Sequence, residues 1–133
     1  MLKRCMILTA LGLIAGAPAD AQDTERGARL YTDHCAVCHG TALLGDGPMA
    51  EVLVVPPANL RMIEGQNGGY FPRVGVAGHI DGRDPLLSHG GEMPVFGRMF
   101  SEMSEVMTSP GGDTVLTSPE VIDLVEYLAT QQD

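Results

Sequence analysis

Cysteine is scarce in this chain of 133 residues, and two of its three cysteines stand three positions apart in Cys35-Ala36-Val37-Cys38-His39. The C-x-x-C-H order has a chemical reason. Two thiols can add across the two vinyl groups of a porphyrin, and the next residue then supplies an imidazole beneath the iron, which makes this the attachment sequence for a c-type haem. Two other chemistries share part of the pattern. A thioredoxin-like dithiol needs a βαβ setting, and no β-branched run precedes Cys35. A zinc site needs two further Cys or His at ligand spacing, whereas His34, His79 and His89 occur singly. On this reading Cys35 and Cys38 hold the haem covalently and His39 ligates its iron.

A thioether opposite the imidazole raises the potential by favouring ferrous iron. Beyond residue 21 the methionines are 49, 62, 93, 99, 103 and 107. Met93 is the expected sixth ligand. It lies in Gly90-Gly91-Glu92-Met93-Pro94-Val95-Phe96-Gly97, where glycines permit close backbone approach and proline stiffens the exit. Met99, Met103 and Met107 recur every four residues and predict the buried stripe of a short helix. Met49 and Met62 carry no special signal; the chemistry of His79 and His89 would allow ligation, but a lone exposed or core-satisfied histidine is the commoner outcome and is the one expected for each.

The elements that must position these groups are partly legible. Thr24–His34 reads as a helix capped by Asp23 or Thr24 that delivers Cys35. Thr117-Ser118-Pro119-Glu120 has a capping pattern with proline in the first turn, ahead of Val121, Leu124, Val125 and Leu128 on one face, so a helix is expected to about Thr130. Short helices are expected at 48–54 and 72–80, and turns at Pro56-Pro57 and Asp81-Gly82-Arg83. No strand is expected. Gly and Pro make up about a fifth of the chain and aromatics only 5%. A loop-rich all-α domain of this kind has a thin core that a prosthetic group must complete.

The first 21 residues form an expected secretory signal peptide, leaving 22–133 as one domain. Lys3 and Arg4 precede an apolar run of 12 residues, Met6–Ala17, and Ala19-Asp20-Ala21 is an A-x-A cleavage site. A bilayer span needs roughly 20 apolar residues, so no membrane anchor is expected after cleavage. Loss of Lys3, Arg4 and Asp20 leaves 16 acids against six arginines and no lysine. That balance excludes nucleic acid as a partner. It favours redox partners with a basic docking surface, met in the periplasm.

Taken together, the chain resembles a bacterial, exported class I cytochrome c with a single His/Met-ligated haem. Met93-Pro94 comes 54 residues after His39, in the family's ligand order. The resemblance implies the cytochrome c fold, several short helices around one covalent haem, and a one-electron carrier rather than an enzyme. It also implies that Gly27 and Tyr31 pack against Tyr127-Leu128, and that the Pro48 carbonyl accepts the His39 ring N–H. Arg61, Arg73, Arg83 and Arg98 are candidates to pair the haem propionates. Phe96 stands where many such relatives have Trp, and 101–116 reads as an added loop. Two further roles stay open: a subunit of a larger dehydrogenase or oxidoreductase complex, with 101–116 as its contact, or a ligand-binding or peroxidase-like protein with a displaceable Met93 assisted by His89 and Glu92.

Overall fold

A computed structural model describes residues 23–82 and 93–133. The expected leader lies outside the described residues, as do Arg83, His89 and Glu92. Among the described residues five α-helices occur: α1 Thr24–His34, α2 Ala36–His39, α3 Ile63–Gln66, α4 Arg73–Asp81 and α5 Pro119–Thr130. Single 3-10 turns occupy Ala50–Val52 and Leu60–Met62. The first replaces the longer helix expected at 48–54, and Pro56-Pro57 come after a bend at 54–55 without regular structure.

Local chemistry starts both long helices where the side chains permit it. Asp23 caps α1 by accepting from the Arg26 amide, and Ser118 caps α5 by accepting from Val121. Val121, Leu124, Val125 and Leu128 fall at i, i+3, i+4 and i+7, and all are buried. That stripe packs on α1 and α4.

Close approach of α1 and α5 rests on Gly27. A Cβ there would lie 2.7 Å from the Tyr127 Cβ and still nearer the Asp123 backbone oxygen. One turn on, the Tyr31 and Tyr127 rings meet at 5.6 Å between centroids. The expected pairing of Gly27 and Tyr31 with the last helix is therefore present. Asp123 adds a polar clamp: its carboxylate accepts from the Asp23 amide at 2.9 Å and from Arg26 Nε, and the residue is only 3% exposed. Burial of this acid is tolerable because both its oxygens are paired.

Two expectations about 99–117 are overturned, that the chain has no strand and that Met99, Met103 and Met107 form the buried stripe of a short helix. Glu105–Thr108 (β1) and Thr114–Thr117 (β2) form an antiparallel hairpin, with Met107 opposite Val115 and Val106 opposite Leu116. A two-residue period replaces the four-residue one. Met107 is 7% exposed, whereas Met99 is 60% and Met103 51% exposed, so the three methionines form no buried stripe. The segment expected to be an added loop is this hairpin. Thr117 Oγ1 donates to the buried Asp81 carboxylate at 3.1 Å, tying the hairpin to the end of α4.

Tyr31 also steadies the turn that continues α1. Its hydroxyl donates to the Gly40 carbonyl at 2.6 Å, and burial raises the phenol's pKa, with a smaller contribution from Cys35, so the donor is retained. Gly40 ends α2 at φ 78°, a conformation that favours glycine.

These contacts can be tested by substitution. Gly27→Ala forces α1 and α5 apart and should cost about 1–3 kcal/mol, as overpacking does. Tyr31→Phe leaves the Gly40 carbonyl with the Leu43 amide as its donor and should cost about 0.5–1.5 kcal/mol, the net worth of one hydrogen bond. Denaturant unfolding of both variants and the parent measures each; an unchanged midpoint for Gly27→Ala would mean that the two helices do not need the glycine.

Candidate haem site

The motif sits on one helical turn that continues the path of α1. Cys35 N donates to the Tyr31 carbonyl at 2.8 Å, and the amides of Cys38 and His39 both return to the Cys35 carbonyl, at 3.1 and 2.9 Å. Positions i, i+3 and i+4 of a turn share one face. Cys35, Cys38 and His39 accordingly line the same cavity, of about 590 Å3. Its other walls are His34, Val37, Leu53, Val55, Pro56, Pro57, Ala58, His79, Met93, Pro94 and Phe96. A largely apolar cavity with a few converging donors is the form a cofactor site takes.

His39 is oriented from outside the motif. Its Nδ1 lies 2.9 Å from the Ala58 carbonyl. A carbonyl can only accept, so Nδ1 carries the proton and donates, which leaves Nε2 unprotonated and able to ligate a metal. The expected acceptor was the Pro48 carbonyl, and this is corrected. The loop before Pro48 serves the motif's backbone instead: Gly45 N donates to the His39 carbonyl at 2.8 Å and Gly47 N to the Cys38 carbonyl at 3.0 Å. Leu53, Val55, Pro56, Pro57 and Ala58 form the wall beside His39, and Ala58 presents its own carbonyl.

Burial pushes the Cys35 thiol up to about 11, with Cys38 adding to the shift. Zinc-binding and redox thiols need the opposite, a depressed pKa. Among the described residues no cluster of three or more His, Cys, Asp or Glu is placed to hold a metal ion. The residues present fit a porphyrin: an apolar slot, two thiols on one edge, a tautomer-fixed imidazole and a thioether.

Met93 lines the cavity as expected, although the Gly90-Gly91-Glu92 approach to it lies outside the described residues. The arginines are less cooperative. Arg61 pairs with Asp133 and Arg73 with Glu126, Arg98 is exposed, and none of the three lines the cavity. Sequence reasoning missed the 53–58 wall, whose unbroken apolar run containing two prolines was a usable signal. It also missed His34, whose ring meets Phe100 at 5.5 Å and Phe96 at 6.2 Å, both edge-on. These contacts join the start of the motif to the segment that carries Met93.

No helix among the described residues is long and apolar enough to cross a membrane. Comparison with curated proteins and with solved structures gave no match. A family model described as cytochrome c matches residues 24–132, 109 of the 133 positions, and so takes in both terminal helices, the motif and Met93. With a helical fold, a C-x-x-C-H turn on an apolar cavity that suits a porphyrin and that match, the chain belongs to the cytochrome c family, haem-binding electron carriers with covalently bound haem c.

Proposed function

We propose that this protein is a one-electron carrier of the periplasm, with haem joined to Cys35 and Cys38 and its iron ligated by His39 and Met93. The observation that carries the reading is the single cavity lined by all four of these residues, which come from segments more than fifty positions apart. When bound, the group supplies an iron that cycles between Fe(III) and Fe(II). Everything else is the work of the chain. Ala58 holds the His39 ring in the ligating tautomer. Leu53, Pro56, Pro57 and Phe96 keep water from the site, so that little solvent reorganises when the charge changes. Met93 favours the reduced state.

The periplasmic setting rests on the leader-like residues 1–21, and the partner class rests on charge. Residues 22–133 carry 16 acids, six arginines and no lysine, so long-range attraction steers the protein toward basic docking surfaces on its donor and acceptor.

Acid–acetone extraction of material exported from a host that matures c-type haem should leave the colour on the protein. Colour passing into the solvent would overturn covalent attachment. For the partner, the second-order electron-transfer rate should fall steeply as salt is raised, because the Debye length is already about 10 Å at 0.1 M. A flat or rising curve would rule out a basic docking surface and leave the carrier reading intact.

A further inference from the structure

The cavity has two differently built walls. On one, the motif turn is tied through His39 to Ala58 and the 53–58 run. On the other, residues 93–97 are stitched to the C-terminal end of α4. Phe96 N donates to the Ile80 carbonyl at 3.0 Å, Val95 packs against Gly82, and Gly97 lies so near Asp81 that a Cβ there would be 2.8 Å from the Asp81 Cβ. His79 stands on α4 immediately before Ile80 and lines the same cavity as Met93. Two metal-binding side chains thus reach one cavity from two segments joined to each other, apart from the wall that holds His39.

Their mountings differ. Met93 precedes a proline in irregular chain, whereas His79 projects from a helix whose core contacts are made by its neighbours Ala77 and Ile80. His79 is itself exposed and is not one of the residues on which the packing of α4 rests. Imidazole is a good ligand for iron in either oxidation state, and unlike thioether it does not favour the ferrous ion.

We propose that His79 is a reserve axial ligand: where Met93 is removed or displaced, the His79 imidazole takes its coordination position. The inference rests on the reading of Met93 as the resident ligand. The exchange breaks one iron–sulfur bond and forms one iron–nitrogen bond, with no electron transferred. It leaves two imidazoles on the iron and lowers the reduction potential. The iron then stays six-coordinate and closed to small ligands.

Optical and paramagnetic resonance spectra of ferric Met93→Ala and Met93→Ala/His79→Ala holoproteins test this. In the single variant the weak sulfur-to-iron charge-transfer band should vanish while the iron stays low-spin. In the double variant the iron should become predominantly high-spin. Should alanine at 93 prevent accumulation of folded protein, Met93→Leu keeps the side-chain bulk without a ligating atom and serves in both backgrounds. A high-spin single variant, or a low-spin double variant, overturns the reserve role while leaving Met93 as ligand. Survival of the sulfur band in the single variant overturns the assignment of Met93 and the reserve role with it.

Discussion

Contact between the first and last helices governs the geometry of everything downstream, because α1 carries the cysteine motif at its end and packs chiefly on α5. At Gly27 the backbone of α5 comes so close that no side chain fits between them. Tyr127 fills the adjoining space against Tyr31, and the paired carboxylate of Asp123 holds the start of α1 through Asp23 and Arg26. The distance from Gly27 to Cys35 is about two helical turns, so the crossing angle set at the glycine decides where the thiols are carried. Tyr31 repeats the linkage one turn later by bonding across to Gly40, just past the motif.

Against this rigid frame the cavity is assembled from weaker, irregular chain. The 53–58 run has no regular structure, yet it supplies both apolar lining and the carbonyl that sets the His39 tautomer. An exposed apolar run is costly in water, and it is stabilised only when a large apolar group lies against it. The ring meant for this cavity is therefore part of the core as well as the reactive centre. That explains how a chain with few aromatic residues and many glycines and prolines can still form a stable domain.

The wall that carries Met93 depends on a chain of local attachments rather than on one strong contact. Thr117 holds the hairpin to Asp81, Ile80 receives the amide of Phe96, and His34 meets Phe96 and Phe100 edge-on. Motif, α4, hairpin and Met93 segment are coupled in this way. The asymmetry between the two walls comes from how each is built.

Whatever depends on neighbours in the chain was determined by the sequence unaided. The C-x-x-C-H spacing places three reactive groups on one face of a turn wherever that turn is put. Asp23 and Ser118 mark helix starts because a side-chain oxygen can reach an amide two or three residues on, and the spacing of Val121, Leu124, Val125 and Leu128 declares its own face. The methionines at 99, 103 and 107 show where such reasoning fails: Met99 lies in a turn, Met103 in irregular chain and Met107 in a strand, where it alone is buried, and the choice was made by the pairing of 105–108 with 114–117. Only the tertiary structure could decide that pairing, the identity of Ala58 rather than Pro48 as the acceptor for His39, and the presence of His34 and His79 in the cavity. Each of those contacts joins residues whose meeting depends on how the intervening chain is routed, and that routing is settled by packing and hydrogen-bond satisfaction over the whole domain, which no local pattern encodes.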